Sequence, residues 1–441
     1  MSSITGRPMK TNAMDGGGKR WTIFAILSSM FVVSMFYRVS NAVIAPELVR
    51  DLGLSAESLG LLGGVFFYSF AVLQVPMGPA LDRIGPRIMI SALPLLTALG
   101  AFLFAASESF SLAFVARILM GMGMACVLMG TFKALTAWFS ADEFATMIGL
   151  TYSVGTLGNI LATSPLAYMV WLVGWRISFV IIGITTLFIC ALVFKYVKDR
   201  PESPDGGRVS ESKSKEEHIP IMLSLRTIFG SLAFWQISMV NFFRYGTFVA
   251  IQGLWAGPYL MDALGYSPIQ AGNILLMMSF GGIIGGPLGG RLSDKVLRSR
   301  KKVVILGMCA YGMGIFFLTG WTTITSDIFY YGLFFCLGCF MSFGMVVFSH
   351  IKELFDTRMA ATAMTAINFF TMMGGAVFTQ GMGRVIEVFP RVGGVYPSRA
   401  YHIAFLSCLL GVVLAIAFYG FSKDTTPSNG PSIGMVPPHK G

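Results

Sequence analysis

The sequence predicts an all-α polytopic membrane protein with twelve transmembrane helices, arranged as two six-helix halves related by a parallel pseudo-repeat. Hydrophobic residues make up 55% of the 441 residues, charged residues only 12%, and the mean hydropathy is +0.71. A water-exposed surface needs roughly a quarter of its residues charged, so this composition excludes a soluble globular protein. Twelve segments are apolar enough to cross a bilayer, because a spanning helix needs about 20 such residues.

The elements follow from the N-terminus in order. Residues 1–20 are rich in Gly, Ser and Thr and are predicted to be a disordered tail. The first apolar run is too long for a secretory signal and is predicted to be a retained helix. The predicted spans are 21–45, 57–79, 88–107, 110–133, 145–168, 175–195, 230–256, 268–290, 302–322, 327–350, 359–383 and 401–421.

The segment between the sixth and seventh spans cannot bury a core. It is rich in Ser, Pro, Lys and Glu, a composition typical of a solvated linker. The predicted domain organisation is therefore an N-terminal bundle at 21–197, a cytoplasmic linker at 198–226, a C-terminal bundle at 227–422 and a disordered tail at 423–441.

The chain repeats itself at an offset of 212 residues. The matches fall at loop entries and helix ends, where chance similarity between apolar helices would not place them. The matched pairs are Pro46 with Pro258, Gly53 with Gly265, Ser55 with Ser267, Gly60 with Gly272, Gly78 with Gly290, and Asp82 with Asp294. Two halves in the same orientation are typical of transporters whose halves rock about a site at mid-depth.

The net charge of +11 would suggest nucleic acid binding in a soluble protein, but here it reports topology. With both termini in the cytoplasm, roughly 24 of the 32 Lys and Arg residues lie inside, about five outside and three within spans. We expect a multi-pass protein of the lipid bilayer with both termini cytoplasmic and no nucleic acid partner. The compact size and short loops favour a bacterial inner membrane, and an organelle membrane stays open.

A polar, glycine-containing motif joins the second and third predicted spans. Glycine lets two helices approach closely, an aspartate can cap a neighbouring helix, and basic residues anchor the cytoplasmic face. The motif reads GPALDRIGPR from residue 78 to residue 87, and its functional candidates are Gly78, Asp82, Arg83, Gly85 and Arg87.

Two further elements accompany this motif. A degenerate second copy keeps Gly290 and Asp294, and the fourth span contains RILMGMG, with Arg117 and Gly121. GPALDRIGPR resembles the G-x-L-x-D-R-x-G-R-R signature of the major facilitator superfamily, and RILMGMG resembles that family's R-x-x-x-G-x-G element. The resemblance covers residues 20–422 and implies the major facilitator fold, transport by alternating access, and a gating or conformational role for these motif residues.

Three arginines lie inside predicted spans, namely Arg38, Arg117 and Arg244. A charge at bilayer depth is costly and by default marks function. None of the 21 carboxylates falls near the middle of a span, so an anion from outside the protein would compensate these guanidinium groups. The resemblance implies that spans 1, 4, 7 and 10 line a central cavity, which would place all three arginines near a substrate path.

The alternative for each arginine is a structural role, in which backbone carbonyls, tyrosines and water hold it. We favour that role for Arg117, because the superfamily keeps this arginine in members with different substrates. We favour substrate contact for Arg38 and Arg244, which lie on equivalent helices, an arrangement that loosely resembles the organophosphate:phosphate antiporters. The predicted substrate-binding set is Arg38, Arg244, Tyr37, Tyr245, Asn41 and Gln252, with Gln74, Tyr152, Asn159, Asn368 and Gln380 as further hydrogen-bonding candidates.

The sequence thus predicts a secondary active transporter of a small anionic solute, such as an organic phosphate or a carboxylate, that works as a monomer. No nucleotide-binding loop occurs, so energy would come from a counter-anion or from a proton that travels with the substrate. Cys336 and Cys339 have no second cysteine or histidine pair, and no nucleophile–base pair appears, so we predict no metal, no cofactor and no enzymatic activity. Two alternatives stay open, namely a transporter of a neutral or cationic solute, or of a peptide or drug, with structural arginines, and a non-transporting membrane sensor on the same scaffold.

Overall fold

The computed structural model describes residues 14–139, 141–199, 226–321, 326–355 and 357–425. Most of the predicted linker and most of both predicted tails lie outside these ranges. The side chain of Asp82 also lies outside the described part of the structure.

Helices form the framework of both halves. In the N-terminal half, α1 is built from Met14–Val39 and Asn41–Leu52, α2 is Ala56–Ile84, α3 is Pro86–Ala105, α4 is built from Phe110–Met124 and Val127–Trp138, α5 is Ala141–Leu161 continued by 164–173, and α6 is 175–196. In the C-terminal half, α7 runs from Leu232–Ala250 through Ile251–Trp255 and Ala256–Pro258 to Tyr259–Ala263, α8 is Pro268–Arg291 with Leu292–Val296, α9 is Arg300–Leu318, α10 runs from Asp327–Phe343 through Gly344–Val346 to Val347–Leu354, α11 is Thr357–Glu387, and α12 is Ser398–Gly420.

The helices confirm the predicted fold class. Within the described residues, nine segments are long and apolar enough to cross a membrane. One of them, Gly149–Tyr196, contains two crossings that meet at Gly174, where φ is 78° and the chain turns back. The helices α7 and α11 complete the set of crossings. The described residues contain no strand beyond a single bridge between Val392 and Val395.

The sequence repeat corresponds to a repeated hairpin. Gly53 and Gly265 both have positive φ, at 61° and 75°, and each ends the first helix of its half. Two residues later, the Ser55 and Ser267 side chains accept hydrogen bonds from the backbone N–H groups of Ser58 and Gln270 and so cap α2 and α8. The repeated glycine and serine therefore build the same turn twice.

Five of the described helices are interrupted, namely α1, α4, α5, α7 and α10. The interruptions lie at Ser40, at 125–126, at 162–163, in two π-helical segments of α7, and at Gly344–Val346. Pro46 lies inside the second segment of α1, where it cannot donate to the carbonyl of Ala42. Interrupted helices of this kind are frequent at functional sites.

Both described ends of the chain lie on one side of the bundle, which we call the termini side, and the opposite side is the far side. The interface between the two halves, which we call the seam, is formed by α2 with α11, α1 with α7, and α5 with α8. Its hydrogen bonds among the described residues lie at mid-depth or on the far side. They include Gln74–Asn368 at 3.3 Å, Tyr68–Gln380 at 2.9 Å, Ser164–Asn273 at 2.5 Å and Ala56–Tyr396 at 3.1 Å.

The far side of the seam carries the charged contacts. Arg384 on α11 pairs with Glu57 on α2 at 2.8 Å. Glu387 accepts hydrogen bonds from the Glu57 N–H and from the Tyr396 hydroxyl, and Arg391 donates to the Leu54 carbonyl at 2.6 Å. The structure is therefore closed on its far side.

The C-terminal end of the described chain is attached to the C-terminal half. The buried His350 ring contacts the Lys423 carbonyl at 2.8 Å, and Asp424 accepts from the Lys301 N–H at 3.0 Å. Thr425 donates to Glu353 at 2.6 Å. The folded part thus extends to Thr425, beyond the predicted start of the tail at 423, because these backbone and side-chain groups satisfy the ends of α9 and α10.

Candidate functional site

A cavity of about 150 Å³ lies at mid-depth between the halves. The helices α1, α2, α4 and α5 supply one wall, and α7, α10 and α11 supply the other. No aspartate or glutamate is among the described residues that line it. The polar side chains in its walls are Arg38, Gln74, Tyr152, Thr156, Asn159, Arg244, Tyr245, Gln252, Asn368 and Thr371.

Arg38 lies in the last turn of the first α1 segment, directly before the interruption at Ser40. Its side chain is 5% exposed, and its Nη1 donates to the Tyr245 hydroxyl on the other half at 3.2 Å. The guanidinium lies 4.8 Å from the centroid of the Phe70 ring, and its Nε is buried without a partner among the described residues. Arg38 thus brings a desolvated cation with an unsatisfied donor to the cavity.

Arg244 reaches the same cavity from α7 but is held firmly by its own half. Its Nε donates to Asn241 Oδ1 at 3.0 Å, its Nη2 also donates to that oxygen, and its Nη1 donates to the Met341 carbonyl at 3.1 Å. Gly344 gives the side chain room, since a Cβ atom there would lie 2.1 Å from Arg244 Cδ. The two cavity arginines are therefore unequal, with Arg38 the less satisfied of the pair.

Arg117 lies outside the cavity, fully buried in the N-terminal half. Its Nε donates to the Leu62 carbonyl at 3.3 Å and its Nη1 to the Tyr37 carbonyl at 3.2 Å. The guanidinium also lies 4.9 Å from the centroid of the Phe66 ring. These contacts tie α4 to α1 and α2, which is the structural role that the sequence favours for this residue.

The structure brings Tyr245 and Gln252 of the predicted set to the cavity beside the two arginines. It does not bring Tyr37 there. The Tyr37 hydroxyl contacts Thr186 on α6 at 3.2 Å, because consecutive residues of a helix point about 100° apart and Arg38 already faces the cavity. Asn41 is buried outside the cavity lining, with neither amide atom hydrogen-bonded among the described residues.

The cavity also presents acceptors without donors. The side-chain oxygens of Asn159 and Gln252 are buried and have no hydrogen-bond partner among the described residues. Both side chains line the cavity, one from each half. Because buried polar atoms are normally hydrogen-bonded, these oxygens indicate donors supplied by a bound molecule or by water.

The predicted motif residues lie on the termini side. Gly85, with φ at 91°, ends α2, and the Arg87 N–H donates to Asp199 at 2.7 Å, while its guanidinium donates to the Phe194 carbonyl. In the second copy, Arg300 contacts both Asp294 and Glu353 and so joins α8, α9 and α10.

Gly78 and Asp82 lie in the last turns of α2, next to Arg83, and Gly290 lies near the end of α8. Gly121 permits close packing of α4 on α2, since a Cβ there would lie 2.2 Å from the Phe66 carbonyl oxygen.

The sequence alone does not single out three contributors to the site. Phe70 stacks on Arg38, Asn241 orients Arg244, and Thr371 contacts Asn241. The spacing of Asn241 and Arg244, one helical turn apart in an apolar span, is a signal that could have identified the asparagine. Nothing local distinguishes Phe70 from the other span phenylalanines.

Comparisons with known proteins agree with this architecture. A family model described as the Major Facilitator Superfamily matches residues 26–379. The structure of a D-xylose-proton symporter superposes with a TM-score of 0.72 at 17% identity, over 91% of this chain and 98% of that one, which shows a shared fold.

Curated relatives cover different shares of the chain. A probable sulfoacetate transporter from Cupriavidus necator is 25% identical over 288 residues, which are 63% of this chain and 66% of that protein. A probable hexose phosphate transport protein from Chlamydia pneumoniae is 23% identical over 440 residues, which are 93% of this chain and 94% of that protein.

Proposed function

Because the chain belongs to the major facilitator superfamily of membrane transporters, we propose that it moves a small, hydroxylated anion across the membrane by alternating access, with Arg38 as the principal anion-binding residue. The observation that carries this proposal is the buried, incompletely hydrogen-bonded Arg38 guanidinium in a cavity whose described lining has no carboxylate. A desolvated guanidinium forms strong, often bidentate hydrogen bonds with carboxylate, sulfonate or phosphate oxygens.

The second cavity arginine supports the same charge preference in a different way. Arg244 adds a positive charge to the opposite wall, while Asn241 and Met341 occupy its Nε and Nη1 donors. We therefore assign it to the electrostatic attraction of the anion, with Arg38 making the direct contact. Tyr245, already hydrogen-bonded to Arg38 across the seam, links the two walls at this point.

The unpaired oxygens of Asn159 and Gln252 favour a substrate that also carries hydroxyl groups. An oxyanion alone brings no hydrogen-bond donor for these two oxygens, which would then depend on water, and a buried acceptor left without any donor costs about 1–3 kcal/mol. Hydroxyl groups on the same molecule supply those donors. The printed substrates of two relatives, sulfoacetate and hexose phosphate, are both anions, which favours the same charge class.

The closed far side and the interrupted helices support the proposal of alternating access. In this state the seam is held at mid-depth and on the far side by hydrogen bonds and the Glu57–Arg384 pair. We place the termini side in the cytoplasm, because most Lys and Arg residues lie there. The coupling partner in this proposal is a proton or a counter-anion.

The test is counterflow in proteoliposomes with glucuronate, glucose 6-phosphate and sulfoacetate, beside neutral glucose and cationic choline. We expect anion counterflow, and we expect the Arg38→Gln variant to bind the anion roughly 10- to 150-fold more weakly, because a hydrogen bond to a charged group contributes about 1.5–3 kcal/mol.

The matched control is Lys195→Gln, which removes a positive charge from an exposed position of α6 and should transport normally. Normal anion transport by the Arg38→Gln variant would overturn the assignment of Arg38. Glucose or choline counterflow that survives the Arg38→Gln substitution would instead support a neutral or cationic substrate. A folded protein without flux would point to a sensor.

A further inference from the structure

The second segment of α1 carries a partly buried acid. Glu47 lies nine residues beyond Arg38 on the same helix, a distance of about 13 Å at a rise of 1.5 Å per residue. Its Oε2 atom is buried and has no hydrogen-bond partner among the described residues. A buried carboxylate oxygen without a donor is costly when ionised and is relieved by protonation.

Glu47 faces the seam. It lines a far-side cavity of about 710 Å³ whose walls include Trp171 and Trp175 from the N-terminal half and residues 267–269 at the start of α8 from the C-terminal half. The surroundings of Glu47 therefore belong to both halves, and separation of the halves on the far side would expose its buried Oε2 atom to water.

The charged groups around Glu47 do not neutralise it fully. On its own helix, Asp51 accepts from Arg50 at 2.9 Å, and on α6, Arg176 pairs with the same Asp51 at 2.8 Å, so one carboxylate engages both cations. The α8 wall contributes Ser267, Pro268 and Ile269, which carry no charge. Arg50, the nearest cation along the same helix, is largely exposed and is engaged by Asp51.

We propose that Glu47 is a proton-binding site whose protonation from the far side stabilises the closed seam. A group that binds its proton more tightly in the closed state must, by thermodynamic reciprocity, shift the protein toward that state when it is protonated. Ionised Glu47 favours the hydrated, open state. This inference rests on the proposed transport function for its purpose, because a far-side gate serves alternating access.

The test measures conformation without any substrate. Spin labels at the exposed far-side positions Ala106 and Ile328, in a background whose six native cysteines are replaced, report the separation of the halves as the pH is varied. We expect the open fraction of the unmodified protein to rise with pH. The open-to-closed ratio should change tenfold for each unit by which the pKa of Glu47 differs between the closed and the open state.

Glu47→Gln should keep the seam closed and remove this pH dependence, and Glu47→Asp should retain it with a shifted midpoint. The matched control Glu108→Gln, an exposed far-side acid in the same bundle, should behave as the unmodified protein. An unchanged pH response in a folded Glu47→Gln variant would overturn the inference. Failure of counterflow would count against the transport function alone, since this measurement needs no substrate.

Discussion

Gly257 on α7 packs tightly against α1 across the seam. A Cβ atom at Gly257 would lie 2.2 Å from the carbonyl oxygen of Ala42, well inside the 3.4 Å at which ordinary contact begins. The Ala42 carbonyl receives no helical hydrogen bond from residue 46, because Pro46 has no N–H group. Pro258, the repeat partner of Pro46, directly follows Gly257, so both prolines lie where the halves meet. Gly257→Ala therefore forces α1 and α7 apart by about 1 Å or more.

The two halves can relieve this clash by opening the seam. Overpacking costs about 1–3 kcal/mol, which corresponds to a shift of roughly 5- to 150-fold in the equilibrium between two states. We expect Gly257→Ala to move the protein from the far-side-closed toward the far-side-open state by that factor, with little loss of stability. The Ala106–Ile328 spin-label distance measures the shift.

Gly281 offers the same substitution within one half. A Cβ there would lie 2.0 Å from the Phe335 carbonyl oxygen, but both residues belong to the C-terminal half. Opening the seam cannot relieve this clash, so Gly281→Ala should lower the melting temperature and leave the distance unchanged. If Gly257→Ala also lowers stability without changing the distance, the reasoning about the seam is refuted.

Two further predictions concern buried and paired charges. Arg117→Gln should lower the free energy of unfolding by about 1–3 kcal/mol, because Arg117 donates to two backbone carbonyls. A folded preparation should keep its anion affinity, because these contacts lie outside the cavity. A loss of affinity with unchanged thermal stability would contradict this prediction. The pKa of Asp51 is lowered mainly by the hydrogen bond from Trp175 and then by Arg50 and Arg176. The ionised carboxylate therefore stabilises the fold above the pKa of the unfolded chain, about 3.9. This stabilisation is lost as the pH falls through the lower pKa of the folded protein. Asp51→Asn should therefore reduce stability near neutral pH by about 1 kcal/mol or less, and the difference between the two proteins should vanish in acid thermal melts; a constant difference would count against the pairing.

Much of the architecture could be predicted from the sequence because the bilayer imposes strong rules. Span length, charge asymmetry and the 212-residue repeat predict the twelve helices, and the repeated glycine and serine correspond to real turns. The family resemblance, carried in part by the motif at 78–87, is confirmed by the family model. These signals are local or periodic, so a single chain displays them.

The site could be predicted only in part, because it depends on which face each helix presents. The placement of Arg38, Arg244, Tyr245 and Gln252 in one cavity follows from their helices, but Tyr37 faces α6 instead. Arg244 has more of its hydrogen-bond donors occupied than Arg38, because Asn241 and the Met341 carbonyl before the break in α10 accept from it. Contacts between helices of this kind are tertiary features. Glu47 lies beyond the predicted end of the first span at residue 45, whereas the helix in the structure continues to Leu52.

Hydrogen bonds attach the segment 422–425 to the rest of the C-terminal half. They set a practical limit on how the chain can be shortened or fused to a reporter. The Lys423 carbonyl contacts one ring nitrogen of the buried His350, and the Ser422 carbonyl accepts from Lys301 Nζ. A fluorescent domain attached directly after Gly420 would remove both contacts and leave a buried imidazole nitrogen unpaired. Attached beyond Thr425, it would leave the termini side of the C-terminal half intact.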